Sequence, residues 1–125
     1  MHNFDGGMLK YSKVTAPLEG EYFVKKRFYD AFIYTELDYL LINLGIKILI
    51  CVGFLVDDCL FFTLYEAYVH NYKVVLLRDC MFAFEMNDDN YIKNRTRTKH
   101  HIETVEIFIG HTATSEEFIE SCKNL

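Results

Sequence analysis

The apolar run from Ile48 to Val56, cut off by Asp57 and Asp58, constrains the fold of this chain more than any other segment. A membrane-spanning helix needs about 20 consecutive apolar residues, and the run is about half that long, so it reads as a buried strand. Behind it, from Asp57 to Asn71, apolar residues return at helical spacing in two stripes. Leu60, Leu64 and Ala67 form one face; Phe61, Tyr65 and Tyr68 form another, which could meet a second subunit. A buried strand followed by an amphipathic helix is half of a parallel βαβ unit.

The same alternation extends in both directions. Glu21 to Lys26 carries Tyr22, Phe23 and Val24 after Gly20, the pattern of a short strand with Lys26 near its end. Thr35 and Asp38 resemble a capping box, after which Leu37, Leu40, Leu41 and Leu44 follow a helical period until Gly45 stops it. Ile46 to Val52 is apolar apart from Lys47, as expected of a central parallel strand covered on both faces. Lys73 to Leu77 predicts a further strand. A polar stretch from Asp88 to Lys99 precedes helices over His101 to Ile109 and Ser115 to Cys122, the last opening on a serine and two glutamates. Strands alternating with helices predict an α/β fold, a three-layer sandwich with a mostly parallel sheet between helices. With 125 residues, 51% of them apolar, the chain suffices for one domain: an irregular segment over 1–16 and a core over 17–125.

A formal charge of -5 disfavours sequence-independent attraction to phosphate backbones, so no nucleic-acid partner is expected. The basic run Lys93, Arg95, Arg97, Lys99 with His100 and His101 lacks the interleaved aromatics of a stacking surface and reads as a solvated loop. No apolar leader marks residues 1–16, so a cytoplasmic location is expected, with no membrane partner. There Cys51, Cys59, Cys80 and Cys122 should remain thiols, and all but Cys59 read as packing residues. His100 and His101 find no second short ligand pair, so neither a metal nor another cofactor is expected.

Cys59 stands apart, because it opens a helix at the carboxyl end of a parallel strand, where α/β proteins place their sites. A helix start favours thiolate, and its backbone amides can stabilise an oxyanion. Asp57 and Asp58 oppose this by bringing negative charge beside the sulfur, unless a cation such as Lys25 or Lys26 compensates.

Three segments together, Lys26-Arg27-Phe28-Tyr29-Asp30-Ala31-Phe32, Thr35-Glu36-Leu37-Asp38 and Gly53-Phe54-Leu55-Val56-Asp57-Asp58-Cys59-Leu60, resemble the isochorismatase-like cysteine hydrolases. Tyr72-Lys73-Val74-Val75 with Asp79, and Gly110 to Phe118, continue the likeness over roughly residues 17–120 in the same order. The first segment is most similar to the ureidoacrylate amidohydrolase and biuret hydrolase branch. The resemblance implies that Cys59 attacks the carbonyl of a small amide or ureido substrate and forms an acyl-enzyme, with no cofactor. It implies that Lys26 is the catalytic lysine and that a cis peptide joins Leu55 to Val56. The region of Leu55, Val56 and Asp58 would hold the oxyanion, and a homo-oligomer is expected.

Two departures qualify what the likeness implies. Val56 stands where the family usually has a threonine, and no apolar strand ending in an aspartate precedes residue 17. The expectations that follow are a truncated gene product, a non-catalytic paralogue acting as an oligomerisation partner, or an enzyme using another base such as Asp57 or Asp58. Tyr29 and Phe32 follow Lys26 and could either line a substrate pocket or close the core. Asp79 reads as structural.

Overall fold

Val74 and Leu76, alternate residues of one strand, are almost completely buried, and the other elements are arranged around that strand. The computed structural model describes residues 18–125 apart from 54, 82, 88, 89 and 94. In order, these form α1 (Leu37–Asn43), β1 (Ile48–Cys51), α2 (Cys59–Val69), β2 (Lys73–Leu77), β3 (Phe84–Asn87), β4 (Asn90–Lys93), α3 (Arg95–Phe108), β5 (His111–Ala113) and α4 (Ser115–Lys123). Both β1 and β5 run parallel to β2, giving a sheet ordered β1-β2-β5, with Ile50 opposite Val75 and Val75 opposite His111. Parallel neighbours require crossovers, and α2 and α3 lie in the two connections. The α/β class, a parallel sheet flanked by helices, is as expected.

Among the described residues β2, not the strand after Gly45, is central. Among the described residues β1 lies at an edge, and its side chains alternate: Leu49 and Cys51 pack against the core, whereas Ile48 and Ile50 are 53% and 39% exposed. Unbroken apolar sequence was read as coverage on both faces, but the strand is covered on one. The core joins Leu60, Leu64 and Ala67 of α2 to β2 and to Val105 of α3 and Ile109 after it. The second α2 stripe divides, with Phe61 packed against that core and Tyr65 and Tyr68 half-exposed.

Local chemistry explains the boundaries. α1 ends as expected at Gly45, whose φ of +69° is a conformation that side chains with a Cβ disfavour. At its start the expected box does not form: the N-cap is Glu36 and makes no side-chain cap hydrogen bond, the Thr35 hydroxyl accepts from the Leu37 N–H at 3.2 Å, and Asp38 turns instead to Tyr72 and His70. α4 starts at Ser115 as expected and carries a full capping box between Thr114 and Glu117. Gly110 sits so close to β2 that a Cβ there would lie 2.3 Å from the Val74 carbonyl oxygen.

Two further expectations fail. No strand forms over residues 21–26; Tyr22 and Phe23 are exposed, and no neighbouring strand among the described residues offers that segment a ladder. Residues 88–99 are not a single polar loop, because β4 pairs antiparallel with β3 and α3 already begins at Arg95. Charge concealed that helix, since its polar residues have adequate helix propensity and its apolar anchors come only in its second half.

Candidate active site

Cys59 is the first residue of α2 and is partly exposed. The loop delivering it is held from several sides. Gly53 donates its N–H to the Cys80 carbonyl at 3.2 Å, and the N–H groups of Asp58 and Leu60 both donate to the Leu55 carbonyl at 3.1 Å. Val56 beneath them is fully buried. Asp58 occupies the N-cap position, yet its carboxylate makes no cap hydrogen bond, so the local anion is not committed to the helix end.

The segment after Lys26 docks on the same helix. Asp30 shapes it by accepting from the Phe32 and Ile33 N–H groups, each at 2.9 Å. Ala31 then donates its N–H to the Thr63 hydroxyl at 3.1 Å, and that hydroxyl donates to the Cys59 carbonyl at 2.8 Å. Tyr29 stacks on Phe62 with ring centroids 6.3 Å apart. The Lys26 segment and the first two turns of α2 are therefore brought together. The Lys26 ammonium itself folds back on its own loop, donating to the Phe28 and Tyr29 carbonyls at 2.8 and 3.0 Å.

Tyr29 and Phe32 separate. Tyr29 is exposed beside α2, whereas Phe32 is 7% exposed and stacks on His70 at 5.1 Å, within the core. Cys51 fits a packing role, and burial pushes its thiol up to about 11. Cys80 and Cys122 do not; both are exposed, because one lies in the turn after β2 and the other in the last turn of α4. Asp79 is structural as expected, accepting from the Ser115 N–H and hydroxyl at 2.8 and 2.6 Å and so tying β2 to α4.

The sequence reading missed Arg97. It lies in the first turn of α3, where a solvated loop was expected, and its guanidinium pairs with Asp57 Oδ2. The Asp57 side chain is only 6% exposed, and its Oδ1 is buried without a hydrogen-bond partner among the described residues. The same helix is anchored by Thr98, whose hydroxyl accepts from the Ala83 N–H at 2.8 Å, and by His101, whose ring meets Phe61 edge-on. Excess positive charge just before a helix was the available signal, but Asp57 lies 40 positions upstream of it and no local spacing connects the two.

Among the described residues no group of three or more His, Cys, Asp or Glu side chains could hold a metal ion, and no helix is long and apolar enough to cross a membrane. The Isochorismatase domain family matches residues 10–107. Over 75 residues the chain is 33% identical to the uncharacterized isochorismatase family protein YaaI of Bacillus subtilis, covering 60% of this chain and 41% of that protein. A cysteine hydrolase from Pseudomonas syringae pv. phaseolicola superposes with a TM-score of 0.79 at 23% identity, over 87% of this chain and 52% of that one. An isochorismatase from Pseudomonas putida gives a TM-score of 0.71 at 26% identity, over 78% and 51%. The chain thus spans about half the length of the proteins it matches.

Proposed function

Since the chain belongs to the isochorismatase family, we propose that it hydrolyses a carbon–nitrogen bond in a small amide or ureido substrate through Cys59. The observation that carries this reading is the docking of the Lys26 segment onto the first turns of α2 through Ala31, Thr63 and the Cys59 carbonyl. The Cys59 thiolate adds to the substrate carbonyl and the carbon–nitrogen bond breaks. The nitrogen leaves with a proton, and water cleaves the thioester to regenerate the thiol. Leu60's N–H is engaged with Leu55, so the Cys59 amide, in the region of Leu55, Val56 and Asp58, is the donor assigned to the developing oxyanion. Lys26 supplies positive charge from the docked segment, and Tyr29 flanks the approach. Similarity of the Lys26 to Phe32 stretch to the ureido-hydrolysing branch supports the substrate class.

Ammonia release from a panel of ureido and amide compounds tests the reading. Turnover by the wild-type chain should fall by about a thousandfold or more in Cys59→Ala, as expected on removing a nucleophile, and strongly in Lys26→Ala. Turnover that survives Cys59→Ala, or folded wild-type protein that releases no ammonia from any compound, would sink it.

A further inference from the structure

Parallel strands all start at the same edge of their sheet, and here that edge gathers basic residues. Lys47 immediately precedes β1, Lys73 opens β2 and His111 opens β5, on three neighbouring strands. The Lys73 N–H donates to the Lys47 carbonyl at 2.9 Å, Ile48 stands opposite Lys73, and Val75 stands opposite His111. All three basic residues line one cavity of about 610 Å³, whose wall also includes Tyr68 near the end of α2, Asn71 after it, and Gly110 at the entry to β5. A volume of that order suits a small molecule. No residue lining the cavity is acidic. Asp38 accepts from Tyr72, itself a lining residue, and both Asp38 and Glu66 approach His70 rather than either lysine. Among the described residues Lys47, Lys73 and His111 form no ion pair or side-chain hydrogen bond, whereas Lys99 and Lys123 each pair with a glutamate of their own helix. The chain carries 18 acidic and 13 basic residues, so an acid-free group of basic residues around one cavity is not what its composition would scatter over a surface.

We propose that this cavity binds a small organic anion, its carboxylate or phosphate group held by Lys47, Lys73 and His111 and its apolar body against Tyr68, which is half-exposed. Like charges gathered at one edge repel each other, and an anion between them relieves that cost. Each lysine offers an oxyanion a full charge and three N–H donors on a flexible stem. The site is separate from the one at Cys59. Tyr68 comes nine residues after Cys59 on α2, which sets the two about 14 Å apart along the helix. The proposal therefore stands independently of the reading of Cys59 as nucleophile.

Amide chemical shifts of the full chain test this, with phenyl phosphate, inorganic phosphate and benzoate as probes and phenol as the uncharged control. Phenyl phosphate should move the amides of Asn71, Lys73, Gly110 and His111 and leave that of Cys59 in place. Inorganic phosphate or benzoate should move the same set, the stronger of the two identifying the anionic group, and phenol should move none of them. Lys47→Ala and Lys73→Ala should each weaken phenyl phosphate binding by about tenfold, the loss of one charge-assisted contact. Lys123→Ala, on the exposed end of α4, should leave binding unchanged. Should Lys73→Ala not fold, Lys47→Ala and the set of amides moved in the wild-type chain carry the test. Binding that survives both lysine substitutions, equal binding of phenol, or no movement at 71–73 and 109–111 with any of the three anions overturns the proposal.

Discussion

Two aspartates at opposite ends of the sheet, Asp38 and Asp57, are treated differently. At the amino end Asp38 accepts a hydrogen bond from the Tyr72 hydroxyl at 2.7 Å and lies 3.3 Å from His70, which in turn approaches Glu66. Both of its oxygens are engaged, its side chain is about one-third exposed, and the cluster includes a phenol that burial, helped by Asp38, pushes up to about 12. At the carboxyl end Asp57 is buried much more deeply and has less, one ion pair on Oδ2 and nothing among the described residues on Oδ1. A fully partnered polar cluster specifies how elements pack. A buried oxygen left without a partner costs stability, and native structures keep few of them. The contrast marks the amino end as a fully partnered joint and the carboxyl end, where Cys59 emerges, as the place that carries an unmet stability cost.

Stability measurements can break that contrast. The largest effect is expected for Arg97→Ala, which strands the buried Asp57 charge. We expect a loss of about 2 kcal/mol in urea unfolding, reduced from the full value for a buried pair because Arg97 is half-exposed. Tyr72→Phe removes one hydrogen bond while leaving Asp38 partly solvated, and should cost about 1 kcal/mol. If Tyr72→Phe proves the more damaging, the amino end is the more strained and the contrast fails. The smallest effect concerns Asp79, whose carboxyl is held below its ordinary range chiefly by the Ser115 hydroxyl and also by its amide. A lowered folded value favours the fold above the ordinary carboxylate range, and that contribution fades as pH falls through the folded value. Ser115→Ala should therefore lower the melting temperature at neutral pH and shrink the loss on acidification, an outcome read by thermal denaturation at pH 7 and pH 3.

What could be read in advance follows how local the determinants are. The strand Lys73–Leu77 was visible because β-branched and leucine side chains occupy every position after the lysine, and α2 because its apolar residues keep one period. Gly45 was a visible stop, since only the local backbone decides it. Tyr22 and Phe23 look like strand residues yet have no strand, because pairing depends on a neighbour that no local pattern encodes. The site divides in the same way. The start of α2 at Cys59 was legible from the apolar run before it, and Lys26 was singled out from Lys25 only through likeness to a family. The Arg97–Asp57 pair was not legible, because a contact across 40 residues exists only once α2 and α3 have packed.

The close approach of Gly110 to the Val74 carbonyl has a consequence for how a mutational map of this protein should be read. In a saturation library scored by growth that depends on the proposed Cys59 chemistry, position 110 should reject every replacement as firmly as position 59, although it lies at the entry to β5. On that proposal one position fails for want of space and the other for want of sulfur. A heat map of intolerance would colour them alike, and only a screen that reports abundance separately from turnover would tell them apart.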